Sequence, residues 1–167
     1  MASSTNLNTF ILEGYNHHFN NAGRGKGLAV YFRNRFSVTG VYAREMLQIT
    51  KVSSGDLDII AVYRSEGQSK ADLANLLHKI IIPSKQTIIC GDFNICNKRE
   101  PNNIVYKKLE TLGFTQLINA PTHISGSQID HLYSNINSKT CNQETFHSSV
   151  YYSDHDAIGV CLDYTDI

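Results

Sequence analysis

The chain has 167 residues, 41% of them hydrophobic, enough for one domain with a sizeable core and no more. Fifteen basic and fifteen acidic residues give a formal charge of zero. That excludes a strongly basic nucleic-acid binder, so any affinity for nucleic acid must come from local patches. No apolar run is long enough to span a membrane or resembles a signal peptide. The four cysteines, Cys90, Cys96, Cys141 and Cys161, form no CxxC pair. A reduced, cytoplasmic or nuclear and non-secreted protein follows as the expectation.

β patterns dominate the first half. Residues 28–33, 36–42, 46–52 and 57–63 read as four strands of a meander, with Ser54-Gly55-Asp56 as a hairpin turn. Residues 69–82 read as a helix capped by Ser69, with Leu73, Leu76, Leu77, Ile80 and Ile81 as its buried stripe and Pro83 as its stop. Residues 87–91 are apolar on both faces, as a central strand is. A second helix fits 103–112, ended by Gly113. Strands at 129–134, 148–152 and 157–162 complete the set. Strands on both sides of two helices suit a two-sheet α/β sandwich with outer helices.

The chemistry concentrates at strand ends. Ile88-Ile89-Cys90-Gly91-Asp92-Phe93-Asn94 is an apolar strand that delivers a carboxylate and an amide at its end. Alternation turns Asp92 and Asn94 one way and Phe93 back into packing, while Gly91 permits a bend or a close approach. Alone, this segment also reads as a strand followed by an Asx turn. Ile129-Asp130-His131-Leu132 alternates like a half-buried strand with one acid on the far side from His131. Ser153-Asp154-His155-Asp156 is a loop leading into the last strand. Acids and an imidazole at strand ends are the groups phosphodiester hydrolysis needs: a base for water, a carboxylate to orient the ring, and donors for the transition-state charge.

Gly91-Asp92-Phe93-Asn94, Ile129-Asp130-His131-Leu132, Ser153-Asp154-His155 and Val62-Tyr63-Arg64, in this order, resemble the endonuclease/exonuclease/phosphatase family with its deoxyribonuclease I-like fold. Gly25-Lys26-Gly27-Leu28-Ala29-Val30-Tyr31, Gly113-Phe114-Thr115-Gln116-Leu117-Ile118 and Ala120-Pro121-Thr122 are most similar to endonuclease domains of non-LTR retrotransposons. The resemblance runs from about residue 10 to the end, over a single domain spanning 1–167, and implies a two-sheet α/β sandwich.

By that resemblance Asp92 handles the proton of water or leaving oxygen, and Asn94 and Tyr63 touch the phosphate. His155, oriented by Asp130 and raised in pKa by it, stabilises the transition state. Asp154, Asp92 and Asn94 hold a weakly bound Mg²⁺ or Mn²⁺. Arg24, Lys26, Arg64, Lys98 and Arg99 are the candidates for contact with nucleic acid, DNA in preference to RNA; Arg33 and Arg35 adjoin the first pair. His131 is expected to be structural.

The family's opening strand–helix–strand unit, with its metal-binding Glu and Asn, has no counterpart here, and Glu13 does not replace it. An N-terminally truncated domain is therefore expected, with inner strands missing from one sheet and a homodimer covering the exposed edge. The alternative function is a catalytically impaired, domesticated domain that binds nucleic acid or a protein partner.

Overall fold

In a computed structural model, residues 11–21 and 27–164 are described. Ten strands and two helices follow in chain order: β1 (Asn16–Asn21), β2 (Gly27–Phe32), β3 (Ser37–Arg44), β4 (Leu47–Ser54), β5 (Leu57–Arg64), α1 (Lys70–Ile80), β6 (Gln86–Asp92), α2 (Ile104–Thr111), β7 (Thr115–Gln116), β8 (Asp130–Ser134), β9 (Cys141–Ser148) and β10 (Ala157–Tyr164). Six strands form one sheet in the order β3-β4-β5-β6-β8-β7, while β1–β2 and β9–β10 are separate two-stranded units.

Each helix starts where an N-cap side chain takes an orphan amide. Ser69 accepts from Asp72 N ahead of α1, and Asn103 accepts from Val105 N and Tyr106 N ahead of α2. Gly113, at φ 81°, supplies the left-handed residue just past α2. The parallel β5–β6 pair needs a crossover, and α1 provides it.

The large sheet has two unlike faces. Val62, Ile60, Ile49 and Ile89 join Leu73, Leu77, Val105, Leu109 and Phe93 in the main core, so the helices cover this face. Ile88, one residue out of phase, belongs to a smaller cluster with Ile136 and Cys141, against which Val160 and Leu162 of β10 pack. Asp92 shares the parity of Ile88 and therefore stands on the β10 face.

Two sequence expectations need correction. The strand expected at 148–152 is turn and loop; the partner of β10 is β9, ending at Ser148. Apart from Cys141 and Gln143, the residues of β9 are exposed, so it has no buried face to produce the alternation a sequence reading relies on. The meander holds only for β3–β4–β5, because β2 leaves it to pair with β1. The strand β1 itself, Asn and His residues around a lone Phe19, and the two-residue β7 carry no strand signature. The expected sheet without inner strands corresponds, among the described residues, to the two hairpins that do not pair with each other.

Candidate active site

The site begins at the end of β6. Tyr63 lies beside Asp92 in the parallel β5–β6 register, and Asp130 lies directly opposite it in the antiparallel β6–β8 register. All three side chains are thereby aimed to one face. Gly91, at φ 134°, makes the approach possible: a Cβ there would sit 2.0 Å from the carbonyl oxygen of Val62. No other residue fits.

Asp92 is locked in place by Asn94. The Asn94 N–H donates to Asp92 Oδ1 at 2.8 Å, and Asn94 Nδ2 donates to Asp92 Oδ2 at 3.0 Å. The second amide proton goes to the backbone carbonyl of Arg64 at 2.8 Å, which fixes the amide's orientation because a carbonyl can only accept. Asn94 adopts φ 49°, the left-handed turn that asparagine tolerates. This corrects one expectation. With both amide protons spent inside the protein, Asn94 positions Asp92 and has no donor left for a phosphate.

Burial raises the Asp92 pKa to about 6, and the nearby Asp130 charge adds to the rise against the opposing bonds from Asn94 and the charge of His155. A carboxylate tuned so close to neutrality is ionised at physiological pH yet still able to take a proton.

His155 arrives from the loop before β10. Its Nδ1 lies 2.8 Å from Asp130 Oδ2. The loop is pinned by an isolated bridge between His123 and His155 and by Asp156 N–H donating to Thr122 O at 2.8 Å. Burial pulls the imidazole pKa down, but the Asp130 hydrogen bond and the charges of Asp130, Asp92 and Asp154 outweigh it, so His155 ends above its ordinary value. Ligating atoms of Asp92, Asp130 and His155 lie within 4.8 Å of one another, a group able to hold a divalent ion.

The remaining candidates fall in different places. Asp154 does not join the Asp92 group; its exposed carboxylate pairs with His123, 3.4 Å from Nε2. Tyr63 is half-buried and accepts from Ser65 Oγ at 3.4 Å. Lys98 and Arg99 are exposed in the loop after Asn94, and Arg33 and Arg35 are exposed between β2 and β3. Arg24 and Lys26 lie outside the described residues.

Arg64 is a clear correction. It is 2% exposed, and its guanidinium donates to the carbonyls of Phe93, Asn94, Glu66 and Gln68. It clamps the loop carrying Asn94 and has no surface to offer nucleic acid. His131 is structural, as expected: fully buried, with Nε2 2.9 Å from Ile95 O and Tyr106 Oη, and pushed down to about 4 by burial.

Two contributors were not singled out from sequence. The buried Thr122 accepts from Ile129 N and Asp130 N through Oγ1, at 3.2 and 3.0 Å, and so steadies the strand entry that carries Asp130. His123 packs edge-on against His155 with ring centroids 4.9 Å apart. Both sit in a loop whose role depends on a contact some thirty residues away, which no local periodicity encodes. The Ala120-Pro121-Thr122 run marked the segment but not its function.

The same architecture occurs in solved proteins. The endonuclease domain of TRAS1, a telomere-specific non-LTR retrotransposon, superimposes with a TM-score of 0.62 at 15% identity, over 90% of this chain and 79% of that one. An AP endonuclease from Archaeoglobus fulgidus gives 0.64 at 18% identity over the same shares, 90% and 79%. The catalytic domain of human Nocturnin, with a bound sulfate anion, gives 0.58 at 18%, over 91% of this chain and 73% of that one. At these identities the likeness speaks for the fold alone. No curated protein matches the chain. The sequence itself matches the Endonuclease/Exonuclease/phosphatase family over residues 2–155. With that match spanning nearly the whole chain and the strand-end carboxylates gathered as described, the chain belongs to the Endonuclease/Exonuclease/phosphatase family.

Proposed function

We propose that the protein hydrolyses phosphodiester bonds of nucleic acid in a divalent-metal-dependent reaction, with Asp92, Asp130 and His155 at its centre. One observation carries this reading: a partly buried carboxylate with pKa raised to about 6 stands beside an Asp130–His155 pair 2.8 Å apart. Asp92 takes the proton of the attacking water, for which its tuning is suited. His155, whose pKa Asp130 raises, faces the negative charge that develops on the phosphoryl oxygens. Tyr63, next to Asp92 in the ladder, is the side chain this reading assigns to contact with the phosphate. Lys98 and Arg99 are the exposed cations best placed in sequence to meet a phosphate backbone.

The donor set fits a hard dication. Two carboxylates face each other across β6–β8, and Asn94 keeps its Oδ1 without a donor among the described residues. Mg²⁺ takes one or two such carboxylates and retains several waters. Asp130 and Asn94 Oδ1 would hold it, leaving Asp92 to take the proton, and its charge would offset that of the phosphoryl group.

A second reading, binding without cleavage, is favoured by a specific feature. Among the described residues no glutamate joins the Asp92–Asp130–His155 group, so metal affinity would be low. Part of the same proposal is self-association through the edges that β1–β2 and β9–β10 leave unpaired among the described residues. Light scattering is expected to give twice the protomer mass; a strict monomer at working concentration contradicts that part.

The deciding experiment is cleavage of plasmid, single-stranded DNA and RNA with Mg²⁺ or Mn²⁺, and again after chelation. Cleavage lost on chelation supports hydrolysis. Retained binding with no cleavage of any substrate supports the second reading.

A further inference from the structure

His155 is shared by two groups of potential ligands. One is the Asp92 group; the other joins His123, Asp154 and His155, whose ligating atoms also lie within 4.8 Å of one another. The second group has a different chemistry: two imidazoles and one carboxylate, the set that suits zinc and its neighbours rather than magnesium.

Three further features are those of a built site. The backbone fixes the two segments in register, through the His123–His155 bridge and Ile124 N–H donating to Asp154 O at 2.9 Å. Asp130 Oδ2 engages Nδ1 of His155 at 2.8 Å, leaving Nε2 as the ring's metal-binding nitrogen. A carboxylate behind a ligating imidazole is the usual support that orients it and raises its basicity. Finally, His123 Nε2 and Asp154 Oδ2 are 3.4 Å apart, with Ser125 Oγ 2.8 Å from His123 Nδ1. A tetrahedral ion with ligands at about 2.0–2.1 Å requires ligand–ligand separations of roughly 3.4 Å. Nδ1 of His123 accepts from Ser125 N–H at 3.1 Å, so the Ser125 turn holds the ring with Nε2 directed to Asp154.

We infer that His123, Asp154 and His155 form a site for a late first-row transition-metal dication, Zn²⁺ being the type, and that filling it inhibits the enzyme by occupying His155. The exposed Asp154 keeps one side open to a solvent ligand. The binding half stands on its own; the inhibition half rests on the hydrolysis proposed above. Soft-metal occupancy would then set the fraction of protein able to act, because one imidazole cannot serve a metal and a phosphate together.

The test uses Co²⁺ as a spectroscopic probe on the whole chain, with Zn²⁺ calorimetry alongside. Wild type is expected to give the intense visible bands of low-coordinate cobalt, displaced by Zn²⁺. His123→Gln and Asp154→Asn, each checked for folding by circular dichroism, are expected to lose those bands and bind Zn²⁺ at least about 10-fold more weakly. Where cleavage is measurable, Zn²⁺ should suppress it in wild type, and whatever Mg²⁺-dependent cleavage His123→Gln retains should resist Zn²⁺. Weak, octahedral-type cobalt spectra identical in wild type and both variants would overturn the site. Strong cobalt binding without cleavage of any substrate leaves the site standing and overturns the hydrolysis and the inhibition alone. Strong cobalt binding with cleavage unaffected by Zn²⁺ overturns the inhibition alone.

Discussion

Asp92 and Asp130 stand directly opposite each other across the β6–β8 pair, two carboxylates on one face of the sheet with a histidine bonded to the second. Like charges placed this way resist ionising together, and the partial burial of Asp92 strengthens the effect. The arrangement is unfavourable for stability and suited to proton transfer.

Replacing Asp92 by Asn therefore should stabilise the protein at neutral pH. The folded pKa of about 6 exceeds the unfolded value of 3.8, so the contribution of this group is fully present below 3.8 and is lost as pH rises through 6. The full linkage is on the order of 3 kcal/mol, reduced by the hydrogen bond that an Asn at this position cannot take from Asn94 Nδ2. Urea unfolding should show Asp92→Asn ahead of wild type by about 1–2 kcal/mol at pH 7.5, with the advantage shrinking towards pH 4. A variant less stable than wild type at pH 7.5 would contradict the tuning.

Asp130→Asn should lower the pKa of His155. The folded ring titrates above its ordinary 6.5 because Asp130 outweighs burial, so its stabilising effect is present below 6.5 and fades as pH rises through the folded value. An NMR titration of His155 should move downward in the variant. No movement would show that the 2.8 Å contact does not couple the two groups.

Arg64 and the Lys98–Arg99 pair should behave oppositely. Arg64→Lys removes a planar fork that serves four carbonyls and leaves several of them unsatisfied, at a cost of about 2–4 kcal/mol. Denaturation should register that loss, while the salt dependence of nucleic-acid binding by the folded variant stays as in wild type. Lys98→Ala and Arg99→Ala should leave stability within about 0.5 kcal/mol and each reduce the salt slope by roughly one. A salt slope unchanged in both would remove these residues from the interface.

Much of this was legible in the chain. The Gly-Asp-Phe-Asn strand end, the inward Asp130 and the loop His155 were read in the right places, because a half-buried strand fixes which side chains share a face. The helices were placed to within one or two residues, since Ser69, Asn103 and Gly113 mark their ends by local hydrogen bonding and backbone conformation. What failed was non-local. Arg64 looks like a surface cation in sequence, and only the fold shows carbonyls of Phe93 and Asn94 converging on it. The partners of Asn94 and Asp154, Arg64 O and His123, are likewise set by tertiary pairing and leave no local trace in the sequence. The exposed β9 gave no pattern at all.

The most direct test of the proposed centre is the pH dependence of single-turnover cleavage by wild type and Asp92→Asn under Mg²⁺ or Mn²⁺. Wild type should gain activity through an apparent pKa near 6, the value set for Asp92. Asp92→Asn, folded and at least as stable, should fall by about 10²–10⁴-fold and lose that rise. Cleavage by Asp92→Asn at the wild-type rate, or a wild-type profile with no inflection near pH 6, would contradict the role given to Asp92.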